Sequence, residues 1–128
     1  MHGPDANLET FESGCHCGAV RFRIRLPSRT ALRCNCSICA KKGFINIIVP
    51  AEDFELLQGE GNLVTYRFNT KVAEHQFCSI CGIHSFSRPR SHPSDYDVNG
   101  RCLDDGVDGF EITPFDGKHW EQHVGSIR

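Results

Sequence analysis

Along residues 19–26 the chain alternates without a break: Val20, Phe22, Ile24 and Leu26 share one face, and Arg21, Arg23 and Arg25 share the other. A period of two puts apolar side chains on one side of a pleated strand and leaves the charged side outward. Pro27 ends the run. A second β-rich run covers Phe44 to Val49 and stops at Pro50, and Asn62 to Phe68 alternates again. Between them, Pro50-Ala51-Glu52-Asp53-Phe54 begins like a single helical turn. Strand-like pieces follow at Val72 to Phe77, at Ile83 to Ser87 and around Tyr96 to Leu103. Only Lys118 to Val124 reads as a short helix. Short strands, 12 glycines and the lack of any long 3.6-residue period predict a mainly β fold. Phe11, Phe44, Phe54, Phe68, Phe77, Phe86, Phe110 and Phe115 read as core, because no basic surface interleaves them as a base-stacking platform would need.

Residues 1–12 read as a loose leader, and no repeat or linker divides the chain, so a single domain over 1–128 is expected. A hydrophobic content of 39% is slightly lean for a packed core, which metal cross-links would offset. The formal net charge of −2 points away from nucleic acid and anionic membrane as partners. The first residues show no basic stretch followed by an apolar one, so no secretory signal or membrane span is expected and the protein reads as cytoplasmic.

The eight cysteines change the picture most. Seven fall into three clusters: Cys15 and Cys17; Cys34, Cys36 and Cys39; and Cys78 and Cys81, with Cys102 alone. Thiols spaced C-x-C and C-x-x-C cannot readily cross-link each other but converge well on one metal ion, and zinc suits them best in a chain with no export signal. Two plus two closes one tetrahedral site. The first and third clusters each end in glycine, Gly18 and Gly82, as a tight metal-binding turn requires. Cys15, Cys17, Cys78 and Cys81 are therefore assigned to a closed structural zinc.

Cys34, Cys36 and Cys39 form the second set, followed by Ala40-Lys41-Lys42-Gly43. Three thiolates can hold zinc and leave a position for water or a substrate sulfur. Cys102, His16, His75, His84 or His92 could equally fill the fourth corner and make the site structural. Lys41 and Lys42 either offset thiolate charge or belong to a solvated face. Arg88 and Arg90 either clamp a carboxylate or lie in a solvated loop.

The runs G-C-H-C-G-A-V-R-F, C-N-C-S-I-C-A-K-K-G, F-N-T-K-V-A-E-H-Q-F-C-S-I-C-G-I-H-S-F and N-G-R-C-L-D together closely resemble the glutathione-dependent formaldehyde-activating enzyme family, and particularly its branch that includes centromere protein V. The resemblance covers Gly14 to about Glu121. It implies a tent-like arrangement of short antiparallel sheets around zinc. It also implies a structural zinc on Cys15, Cys17, Cys78 and Cys81 and a catalytic zinc on Cys34, Cys36 and Cys39. The implied reaction joins formaldehyde to glutathione as S-hydroxymethylglutathione, a carbon–sulfur lyase step run in reverse. Two other readings stand beside this one. The first is a non-catalytic zinc-stapled module that engages a protein partner. The second makes Cys34, Cys36 and Cys39 a redox sensor that releases zinc on oxidation.

Overall fold

The computed structural model describes residues 8–35, 37–67, 74–88 and 94–115. Strand β1 (Glu9–Gly14) pairs antiparallel with β2 (Arg21–Leu26), and β2 pairs antiparallel with β5 (Phe54–Gln58), closing a three-stranded sheet. A seven-stranded sheet runs β10-β3-β4-β9-β8-β7-β6. Its members are β3 (Thr30–Cys34), β4 (Ile45–Val49), β6 (Leu63–Tyr66), β7 (Glu74–Cys78), β8 (His84–Arg88), β9 (Tyr96–Asn99) and β10 (Glu111–Phe115). The neighbours are antiparallel except β10 and β3, which run parallel. This mixed edge departs from the all-antiparallel expectation. Pro114 lies in β10, and it is tolerated because β10 is the edge of the sheet among the described residues, with β3 as its one neighbour there.

The alternation in β2 does what its pattern dictates. Phe22 and Ile24 are fully buried and Leu26 nearly so, whereas the three arginines are partly exposed. Arg23 meets Glu12 at 2.6 Å and Glu55 at 3.4 Å, its cross-strand neighbours on β1 and β5. Arg25 reaches Asp53 at 3.2 Å, and Arg21 forms a bidentate pair with Asp104 at 2.9 and 2.7 Å. Exposed pairs of this kind add at most about 1 kcal/mol each, so the sheet is held chiefly by its inner face. There Phe22 packs edge-on against Phe86 of β8 at 5.5 Å, and Phe54 stacks on Tyr96 of β9 at 3.9 Å. Val20, Ile45, Ile47, Val49 and Val98 complete the seam between the two sheets.

Several elements differ from the pattern-based reading. Residues 9–12, expected as leader, begin β1 and pair with β2. Strands β3, β5 and β10 carry weak alternation and were not anticipated. The predicted turn after Pro50 is a 3₁₀ turn over Ala51–Asp53. The segment read as strand around Tyr96 to Leu103 is β9 followed by a 3₁₀ turn, Gly100–Cys102. A short helix, α1 (Ser37–Lys42), carries Cys39 of the middle cluster, where the sequence shows no helical period. The anticipated helix at Lys118 to Val124 lies outside the described residues.

Candidate metal centre and adjoining cleft

Cys15 follows β1 directly, and Cys78 closes β7. The two clusters fold as equivalent turns. Cys15 N–H donates to the Val20 carbonyl at 3.1 Å, and Cys78 N–H donates to the Ile83 carbonyl at 3.0 Å, each bond spanning five residues. Gly18 and Gly82 take φ of +84° and +78°, a conformation that costs an L side chain energy and glycine little. Backbone N–H groups then point at sulfur: Val20 N–H at Cys15 Sγ (3.3 Å), and Ile80 and Cys81 N–H at Cys78 Sγ (3.4 and 3.5 Å).

These turns bring the sulfurs of Cys15, Cys17, Cys78 and Cys81 within 4.8 Å of one another, a set that could hold a metal ion. Cys15 and Cys17 stand 3.6 Å apart, and Cys17 and Cys78 stand 3.7 Å apart. A tetrahedron of thiolates with Zn–S of about 2.3 Å has edges of about 3.8 Å, so both the spacing and the donor chemistry fit zinc. The metal-free thiols perturb one another strongly. Burial pushes the Cys81 thiol up, but N–H groups of Cys17 and Ile83 and the thiols of Cys17 and Cys78 outweigh it and bring it down to about 6. At Cys17 the Ala19 N–H favours the thiolate, yet burial and the other three thiols raise it to about 11.

Cys102 belongs beside this centre. Its S–H points at the His84 carbonyl (3.9 Å) and at Ser85 Oγ (3.8 Å). Burial pushes its thiol up to about 11, opposed by Ser85 and reinforced by charge on Cys15 and Cys81.

The middle cluster lies elsewhere. Cys34 ends β3 opposite Phe115 of β10, and Cys39 lies on α1. Cys36 lies outside the described residues. Gly43, at φ +67°, ends α1 by returning its N–H to the Cys39 carbonyl at 2.9 Å, as a left-handed helix cap does. Cys39 Sγ faces Asn46 Oδ1 at 3.8 Å, and Asn46 in turn donates to the Leu32 carbonyl at 3.3 Å. Cys34 and Cys39 both line a cleft of about 480 Å³, together with Arg33, Phe44, Arg101 and Phe115. The lining thus combines two cysteines, two arginines and two phenylalanines.

Arg101 in the cleft lining and Asn99, two residues before it, fall in the N-G-R-C-L-D run, which by itself assigns neither a role. Arg101 donates through Nε to the Gly43 carbonyl at 2.7 Å, tying down the end of α1. Asn99 is buried; its Oδ1 accepts from Ile45 N–H and Arg101 N–H, and its Nδ2 donates to the His84 carbonyl. Neither role shows in the sequence, because each depends on loops that meet only in the fold.

The histidines considered as ligands part company. His16 is exposed, and His92 lies outside the described residues. His75 and His84 are buried with ring centroids 5.5 Å apart. His84 Nε2 donates to the Phe86 carbonyl at 3.1 Å, leaving Nδ1 to accept from the Lys42 ammonium at 3.0 Å. Burial, then the charges of Lys42 and His75, lower its pKa to about 3, so it is neutral at physiological pH. Arg88 lies over the Tyr96 ring at 4.5 Å and donates to its hydroxyl at 3.0 Å; Pro89 to His92 fall outside the described residues. Among the described residues, no helix is long and apolar enough to cross a membrane.

Residues 10–121 match the family described as glutathione-dependent formaldehyde-activating enzyme. A Halomonas elongata protein named "Putative glutathione-dependent formaldehyde-activating enzyme" is 35% identical over 79 residues, which cover 55% of this chain and 50% of that protein. The chain thus spans about half the length of that curated relative. A crystal structure of a Rhodobacter sphaeroides protein superposes with a TM-score of 0.72 at 34% identity, covering 80% of this chain and 98% of the other. On the extent of the family match, this chain belongs to the glutathione-dependent formaldehyde-activating enzyme family.

Proposed function

We propose that the protein is a zinc-dependent carbon–sulfur lyase that interconverts S-hydroxymethylglutathione with glutathione and formaldehyde. In this reading Cys15, Cys17, Cys78 and Cys81 hold a structural zinc, and Cys34, Cys36 and Cys39 hold a catalytic one. The observation that carries the reading is the separation of the two sets. Four thiols close on one another, while Cys34 and Cys39 are left to line a cleft flanked by Arg33 and Arg101.

When bound, the second zinc would supply thiol activation, since a coordinated thiol is deprotonated at neutral pH. The chain's own residues supply the rest. Arg33 and Arg101 offer guanidiniums to the carboxylates of glutathione. Phe44 and Phe115 line the apolar part of the cleft and limit the water around the reacting carbon. The glutathione S–H gives up its proton, the sulfur bonds to the formaldehyde carbon, and the resulting alkoxide takes a proton to give the hydroxymethyl thioether. Cleavage is the same path reversed, with no change of oxidation state. Holding thiol and aldehyde together turns an encounter in solution into an intramolecular addition.

Exchange NMR of a formaldehyde–glutathione mixture tests the reading. Zinc-loaded protein at catalytic concentration should accelerate interconversion. A rate equal to that without protein would exclude this substrate pair.

A further inference from the structure

The two lysines that follow Cys39 look equivalent in sequence and are not equivalent in the fold. Both residues are exposed. Lys42 turns back against the sheet, its ammonium 3.0 Å from His84 Nδ1 and 6.0 Å from the centre of the Phe77 ring. Lys42 stands three residues after Cys39 on α1, one turn along the same face.

His84 is a suitable seat for a permanent cation. Its Nε2–H is committed to the Phe86 carbonyl, which sets the tautomer and leaves Nδ1 as an acceptor. Phe44 packs on the imidazole with centroids 4.5 Å apart and also lines the cleft, so the seat and the cleft share a wall. Burial at Lys42 disfavours its charge, while the Cys39 thiolate favours it. An acceptor that is neutral and cannot itself become a competing cation makes up part of the lost hydration.

We propose that Lys42 is the built-in countercharge of the three-cysteine site and that His84 is the residue that positions it. The proposal rests on the zinc assignment made above for Cys34, Cys36 and Cys39. Three thiolates leave a zinc centre with a net charge of about −1, and a fourth thiolate from substrate takes it to about −2. An incoming anionic thiol is therefore repelled by the centre it must join. A cation held in place by its hydrogen bond to His84 opposes that repulsion better than a mobile surface lysine. Lys42 then acts on binding of metal and thiol more than on the chemical step.

The test uses the full chain and reads zinc affinity by chelator competition, with the four-thiol centre as internal control. Lys42→Met should weaken zinc at the second site about tenfold, leaving the first within twofold, and should raise the glutathione KM about tenfold with kcat within about threefold. Lys42→Arg, which keeps the charge, should recover most of the zinc affinity. His84→Phe, which removes the acceptor, should move both quantities in the Lys42→Met direction by a smaller factor. A thermal melt and an intact first site exclude misfolding as the cause. A Lys42→Met protein with unchanged zinc affinity at the second site overturns the proposal, even if the enzyme is active. The converse pattern, weakened zinc but no exchange catalysis by the wild type, overturns the lyase reading and leaves the countercharge standing. A wild-type second site that takes up no zinc overturns both.

Discussion

Cys17 Sγ and Cys78 Sγ lie 3.7 Å apart although 61 positions separate them in the chain. Their approach ties the turn after β1, which belongs to the three-stranded sheet, to the end of β7 in the seven-stranded sheet. The two sheets also meet through Phe22 and Phe86, but apolar packing alone does not fix which strand ends converge. A metal ion shared by the four thiols would.

Removal of one of these ligands should therefore cost fold and metal together. Cys78→Ser is expected to lose one equivalent of zinc and several kcal/mol of stability, because metal binding free energy at a structural site is folding free energy. Metal analysis combined with a chemical melt checks this. A variant that melts like the wild type would show that the centre is dispensable.

Cys39→Ala should behave differently. It is expected to lose the second zinc and the exchange activity while keeping the first zinc and a melting profile close to that of the wild type, since Cys39 is only partly buried at the rim of a cleft. Zinc stoichiometry falling from two to one, with near-native circular dichroism, is the expected result.

Arg101→Met and Arg33→Met each remove one guanidinium from the cleft. Each should raise the glutathione KM about tenfold, the loss expected for one charge-assisted hydrogen bond, with little effect on kcat. Arg101→Met should also loosen the end of α1, because the Gly43 carbonyl loses its donor. Faster amide exchange over residues 39–44 would register that second effect separately.

His84 predicts a pH dependence with a definite sign. Its pKa falls from 6.5 to about 3 on folding, so below pH 6.5 the unfolded chain binds a proton that the native protein refuses. Its contribution is complete above about pH 6.5 and is lost as pH falls toward 3, at up to about 1.4 kcal/mol per pH unit. Thiolate protonation acts in the same direction, so the informative quantity is the difference between wild type and His84→Gln. Denaturant melts from pH 7.5 to 4.5 should show a shallower decline for the variant. Parallel curves would mean that His84 titrates normally in the fold.

The sequence by itself determined a good deal here. Strict alternation in residues 20–26 fixed β2 and its buried face, because a period of two admits only one assignment of sides. The C-x-C-G and C-x-x-C-G spacings fixed which cysteines would meet, since two-ligand turns must find a second pair to complete a tetrahedron. The resemblance supplied the family, which the match over residues 10–121 bears out.

Tertiary structure decided the rest. β3, β5 and β10 are strands by virtue of their neighbours, their own alternation being weak, and the parallel β3–β10 edge follows from topology that local pattern does not encode. By sequence Cys102 is as eligible as several histidines for the fourth corner of the second site, and the contacts of its thiol with the His84 carbonyl and Ser85 Oγ arise only in the fold. Lys41 and Lys42 are adjacent and chemically identical. Both are exposed, and only the packing of α1 against β7 and β8 brings the second onto a neutral histidine. Sequence records which groups are present; the distances and the burial that set their charge arise from packing between segments remote in the chain.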